Sequence, residues 1–175
     1  QSVTIPATVT INGVSYKVTA IADKAFSGCK SLKSVKIGNN VTKIGTKAFY
    51  NCKALTNIEL SPNTTTIGNS AFYGCTTLPS ITLPAGVSSI GNNAFRSCSS
   101  LGSIEIPSGV TKIDTFTFTD CTSLSSVTIP NTVTLIDGNA FQNCKSLGNI
   151  NMPDSVTSIG TYAFSGSGLS SITLS

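Results

Sequence analysis

The stretch Ile44-Gly45-Thr46-Lys47-Ala48-Phe49-Tyr50-Asn51-Cys52-Lys53-Ala54-Leu55 decides the fold, because it comes back. Twenty-three residues later the same apolar skeleton stands as Ile67, Gly68, Ala71, Phe72, Cys75 and Leu78, with only the letters between them changed. A fixed period of roughly 20–50 residues marks a solenoid, in which each repeat buries its apolar side only against its neighbours. Any local motif inside the unit must therefore be weighed against its recurrence.

The frame holds along the chain. Cysteines stand at 29, 52, 75, 98, 121 and 144, each with a phenylalanine three residues before it and a leucine three residues after it. Behind each leucine comes a short alternation: Val35 and Ile37, Ile58 and Leu60, Ile81 and Leu83, Ile104 and Ile106, Val127 and Ile129, Ile150 and Met152. Period two over so short a span predicts a strand with one buried face, and coil stacked on coil gives a parallel sheet. Pro84, Pro107, Pro130 and Pro153 end these strands, since proline donates nothing to a ladder. A second, shorter extended arm follows, as in Val41-Thr42-Lys43-Ile44-Gly45. The spacing of three between Phe, Cys and Leu predicts one short helical turn facing the core.

The ends depart from the frame. Ser2-Val3-Thr4-Ile5-Pro6 reads as the tail of a strand, and residues 9–18 read as a hairpin around Asn12-Gly13, a pair that tolerates the positive φ of a type I′ turn. The expected organisation is an N-terminal hairpin cap over residues 1–20 and a solenoid of about seven 23-residue coils over 21–175, one domain overall. In the last coil Ser167 takes the cysteine place and Leu169 comes one residue early. With no polar cap evident there, the expectation is a fragment whose natural chain continues, or a last strand covered by a second copy.

The pattern L-x-x-V/I-x-I-P-x-x-V-T-x-I-G-x-x-A-F-x-x-C, from about Ile21 onward, resembles the leucine-rich repeats of the BspA-like, or Treponema pallidum-like, class. The fold to expect is an α/β, right-handed leucine-rich repeat solenoid with a parallel concave β-sheet, short convex strands, helical turns and the hairpin cap. The resemblance implies bacterial or protozoan surface and secreted proteins, several of them adhesins toward host matrix or other cells.

Composition points the same way. Charged residues are 10% of the 175, against roughly 25% in an average domain, and Ser, Thr and Asn fill the surface instead. An extracellular or cell-surface location is the expectation. The first 53 residues hold eight lysines against Asp23, a net +7, while the rest has three cations against six acids, a net −3. Such an end attracts an anionic partner or is simply a lysine-solvated face. Nucleic acid is not expected, for neither arginine nor aromatic residues interleave with the lysines. No run approaches the ~18 apolar residues of a membrane span, so no membrane insertion is expected of this stretch.

The inventory for catalysis is poor. The chain has no histidine, which removes Ser-His-Asp and Cys-His sites, and no enzyme activity is expected. Glu59 and Glu105 share a strand position two coils apart, ~10 Å by rung spacing, with two solvated acids as the plainer reading. The six cysteines allow buried free thiols, disulfides between rungs, or a metal. Thiols filling a site too small for leucine are favoured, and without a Cys-x-x-Cys pair no metal or other cofactor is expected.

What the repeat leaves variable is where a partner would bind. The outward positions of the expected concave sheet are Lys33, Ser34, Lys36, Asn57, Glu59, Ser80, Thr82, Ser103, Glu105, Ser126, Thr128, Asn149 and Asn151, then Ser171 and Thr173. Small polar side chains without aromatics suit weak or multivalent contact with a protein or glycan ligand. Exposed aromatics are the second candidates: Tyr50 and Tyr73 stacked in adjacent coils, with Phe116 and Tyr162 in another outward column. The expected function is a non-catalytic interaction module, adhesive toward a host or cell-surface protein or glycan. The alternative is an architectural spacer of a longer surface protein, and an oligomer through the uncapped last coil is left open.

Overall fold

A computed structural model describes residues 1–174, and the side chains of residues 1–172. In chain order the strands are β1 (Ser2–Ile5), β2 (Thr8–Ile11), β3 (Val14–Lys17), β4 (Ala20–Ile21), β5 (Ser34–Ile37), β6 (Lys43–Ile44), β7 (Asn57–Glu59) and β8 (Thr66–Ile67). They continue with β9 (Ser89–Ile90), β10 (Ser103–Glu105), β11 (Lys112–Ile113), β12 (Ser126–Thr128), β13 (Leu135–Ile136), β14 (Asn149–Met152), β15 (Ser158–Ile159) and β16 (Ser171–Leu174). Two rows of parallel strands line the stack, each interrupted along its length. The principal one joins β1-β5-β7, β10-β12 and β14-β16; the short one joins β4-β6-β8-β9 and β11-β13-β15.

Alternation along the principal strands buries Val35, Ile58, Ile104, Val127 and Ile150 and turns their neighbours outward. Opposite them lies a column of seven phenylalanines, from Phe26 to Phe164, with ring centroids 5.2–5.6 Å apart and planes within 10° of parallel. Phe49, Phe72, Phe95, Phe118 and Phe141 are fully buried. Each such ring contributes roughly 1.5–3 kcal/mol of burial, which makes this column the spine of the core.

The expected helical turns do not form: among the described residues there is no helix. The reason lies in where the backbone donors go. Ala48, Tyr50 and Cys52 donate to the carbonyls three residues back, whereas Lys47, Phe49 and Asn51 donate to Asn69, Ala71 and Tyr73 of the next coil, at 2.7–2.9 Å. Every second N–H is thus spent between coils, and a helix would keep them all to itself. The alternation requires left-handed backbone twice per coil, at the column of Lys47, Phe116 and Tyr162 and at the column of Asn51, Gly74 and Asp120.

The beginning of the chain also differs from expectation. The strand read at Ser2-Val3-Thr4-Ile5 is β1, and it belongs to the repeat as a rung of the principal row, pairing parallel with β5 from Ser2↔Ser34 to Ile5↔Ile37. The hairpin β2–β3 forms around Asn12 and Gly13, both at positive φ. It does not cover the end of the core, however: all eight of its strand residues are exposed, while Phe26 and Cys29 of the first coil are only partly buried. In the last coil Ile159, Tyr162 and Ile172 are exposed.

Candidate functional site

The outward row of the principal ladder is assembled as the alternation predicts. Asn57, Glu59, Ser103, Glu105, Ser126, Thr128, Asn149 and Asn151 are all exposed, as are Lys33 and Lys36, and Ser34 is half-buried. Register places Ser34 beside Asn57 and Lys36 beside Glu59, then Ser103 beside Ser126 and Glu105 beside Thr128. The Asn57 amide donates to Ser34 Oγ at 3.3 Å, and Lys36 Nζ lies 2.9 Å from Glu59 Oε2. That ion pair is more than half exposed on both sides, so it contributes at most about 1 kcal/mol. It occupies the carboxylate that a two-acid mechanism with Glu105 would need. The side chain of Thr173 lies outside the described residues.

The principal ladder is interrupted between β12 and β14, and more widely at one rung that joins neither of its neighbours. Residues 80–83 keep the alternation, with Ser80 and Thr82 outward and Ile81 and Leu83 buried, yet they pair with neither β7 nor β10. Among the described residues none of their backbone groups enters a hydrogen bond between coils. Pro79 is the cause. In this column Thr56 N–H donates to Lys33 O, Gly102 N–H to Pro79 O and Ser125 N–H to Gly102 O, at 2.9–3.0 Å, but Pro79 has no N–H for Thr56 O. The short ladder is interrupted one junction later, between β9 and β11. There Asp114 succeeds Gly45, Gly68 and Gly91, and a Cβ built at Gly68 would stand 2.8 Å from the Gly45 backbone.

Clefts open on both sides of the unpaired rung. One, of about 670 Å³, lies between it and the β7 coil and includes Asn57, Glu59, Pro62, Thr82 and Pro84 in its wall. The other, of about 500 Å³, lies toward β10 and β12 and includes Thr82, Ser103, Glu105, Thr128 and Pro130. Thr82 lines both, with Glu59 on one flank and Glu105 on the other. Sequence reasoning named the hydroxyls and the acids but not Pro79 or the bordering prolines. The signal was one letter, a proline where other coils carry Lys33, Thr56, Gly102, Ser125 and Gly148.

The aromatic candidates divide. Tyr50 and Tyr73 do stack, with centroids 4.8 Å apart and planes 16° from parallel, and both are half-buried. Lys47 Nζ caps the Tyr50 ring at 5.4 Å, and the Arg96 guanidinium lies over both Tyr73, at 5.9 Å, and Phe116, at 5.0 Å. The ring faces a sugar would stack on are therefore taken up within the ridge, whose edges alone face outward. Tyr162 stands apart, 66% exposed.

The cysteines form a ladder of free thiols. Each Sγ from Cys52 to Cys144 donates to the carbonyl of the phenylalanine one coil back, Cys52 to Phe26 and Cys144 to Phe118, at 3.0–3.2 Å. Burial pushes the Cys52 thiol up to about 11 and the Cys144 thiol up to about 12, and moves Cys75, Cys98 and Cys121 well upward. Thiols this reluctant to ionise are structural, not nucleophilic.

Comparison with known proteins agrees with this architecture. The family model described as BspA type leucine rich repeat region, in 6 copies, matches residues 2–125 and 65–175. No curated protein matches the chain. Among solved structures, a leucine rich cell surface protein from Faecalibacterium prausnitzii A2-165 is 40% identical with a TM-score of 0.92, over 99% of this chain and 47% of that one. The leucine rich repeat protein of T. pallidum is 35% identical with a TM-score of 0.87, over 94% of this chain and 75% of the other. A leucine-rich repeat protein from Bacteroides ovatus shares 28% identity at a TM-score of 0.51, over 91% and 53%. The chain thus spans less than half the length of the F. prausnitzii protein it resembles.

Proposed function

This chain belongs to the BspA-type leucine-rich repeat family, and from that premise we propose that it is a non-catalytic interaction module of a surface or secreted protein, binding a protein or glycan through its principal sheet. The observation that carries this reading is the break at residues 80–83. A solenoid held by continuous ladders has a smooth polar face, whereas here a rung with uncommitted backbone donors and acceptors sits between two clefts, flanked by Glu59 and Glu105. Backbone amides, carboxylates and threonine hydroxyls together read ligands rich in hydrogen-bonding groups. A surface location rests on the F. prausnitzii relative being a cell surface protein.

One observation favours a second reading. The chain covers 47% of that relative, so in a longer protein these coils could serve as a spacer presenting other parts, with no ligand of their own. The exposed Ile159, Tyr162 and Ile172 offer a stacking surface for a further coil or a second copy. An array of matrix proteins and glycans, probed with residues 1–175 at two salt concentrations, separates the two readings. The module binds some members, and binds them less after Thr82→Arg fills the clefts; a spacer binds none.

A further inference from the structure

The hairpin is an insertion, and the fold has no use for it. Ile5-Pro6 and Val18-Thr19-Ala20-Ile21 match the Ile-Pro and Val-Thr-x-Ile of later coils, yet 12 residues separate Ile5 from Val18 where three separate Ile37 from Val41. The extra residues leave and rejoin the coil at a base closed by Val18 N–H donating to Ala7 O at 2.9 Å. Cross-strand pairing sets Val9 opposite Tyr16 and Ile11 opposite Val14, which puts all four on one face, with Thr8, Thr10, Ser15 and Lys17 on the other. The apolar four are 38–57% exposed and make up the majority of the large apolar side chains that the described structure leaves in the open.

Charge says what covers them. All eight lysines of the first 53 residues are exposed, and among the described residues only Lys36 has an acidic partner. They encircle the coils instead of gathering on one side: Lys24 and Lys47 lie on the turn segment, Lys33 and Lys36 on the principal sheet, Lys43 on the short one. Spread this way they form no fixed constellation for a shape-specific partner, but the net +7 of the first 53 residues sets up a field that draws this end toward an extended anionic surface. Two copies meeting hairpin to hairpin would bring like charges together. We propose that the β2–β3 hairpin and its lysine collar dock this chain on an anionic lipid bilayer, lying in the headgroup layer without crossing it. The apolar face enters the acyl boundary, Tyr16 sits at the depth tyrosines favour, and the lysines hold the anionic lipids.

Sedimentation of residues 1–175 with vesicles tests this. Binding is expected to equimolar phosphatidylcholine–phosphatidylserine vesicles, weakening as salt rises, and not to phosphatidylcholine alone. The double variant Ile11→Ser/Val14→Ser is expected to bind about tenfold more weakly or worse, with an unchanged melting temperature because the hairpin lies outside the core. Lys24→Glu/Lys30→Glu weakens binding as well, by lowering the net positive charge of this end, and Thr82→Arg leaves it unchanged, which keeps the outcome separate from that of the principal face. No binding to the mixed vesicles, or equal binding by the hairpin variant, overturns the proposal. So does self-association of the wild type that Ile11→Ser/Val14→Ser abolishes, which would make a second copy the occupant.

Discussion

Cys75 donates its thiol proton to the carbonyl of Phe49 in the preceding coil, at 3.2 Å. The same carbonyl accepts the Cys52 N–H of its own coil at 3.2 Å, so one oxygen ties two coils together at the centre of the core. A first prediction follows from the burial of these sulfurs. In native protein a thiol reagent near pH 8 modifies the half-buried Cys29 and spares the five buried ones, and all six react in denaturant without reductant. Fewer than six there would mean that disulfides form.

The same thiols make stability fall in alkali. Their folded values lie above the ordinary 9.0, at about 11 for Cys52 and about 12 for Cys144, so the unfolded chain loses its protons first. Their contribution is whole below pH 9 and is lost as pH climbs through 11 to 12. Denaturant midpoints measured across that range should decline, and Cys144→Ala should flatten the decline. A slope indifferent to that substitution would assign it to other groups.

Phe95 lies between Phe72 and Phe118 with no exposure, at centroid distances of 5.4 and 5.6 Å. Phe95→Ala should cost about 3–5 kcal/mol. Phe164→Ala, at the half-buried end of the column, should cost clearly less. Equal losses at the two positions in thermal melts would contradict a continuous core.

Pro79→Thr restores the missing donor opposite Thr56 O. One hydrogen bond contributes about 0.5–1.5 kcal/mol, offset in part by the greater freedom of the unfolded chain without the proline. The larger expected effect is on the clefts, which narrow as the 80–83 rung joins its neighbours. Ligand affinity should drop although stability does not, and a variant that binds as before would locate recognition elsewhere.

Much of this was legible because the solenoid writes its core into a period. The stacked Phe, the thiol ladder and the outward row from Lys33 to Asn151 all follow from spacing. Three features did not. The first rung was hidden because the inserted hairpin separates Ile5-Pro6 from Val18-Thr19, breaking a period that both segments obey. The helical turn was misread because a spacing of three suits any chain of i→i−3 bonds, and only the structure reveals that Phe49 and Asn51 donate to the next coil. The clefts escaped notice because Ser80, Ile81, Thr82 and Leu83 alternate as a good strand does; what Pro79 removes is a proton, which leaves no mark on hydrophobic pattern.

Amide hydrogen exchange over residues 80–83, with and without a ligand found on the array, tests the central claim most directly. The account predicts that Ile81 and Leu83 exchange much faster than Val35 and Ile37, whose ladder is intact, and that bound ligand slows them. Protection at Ile81 and Leu83 equal to that of β5 in the free protein, or exchange there unmoved by a ligand that binds, would contradict it.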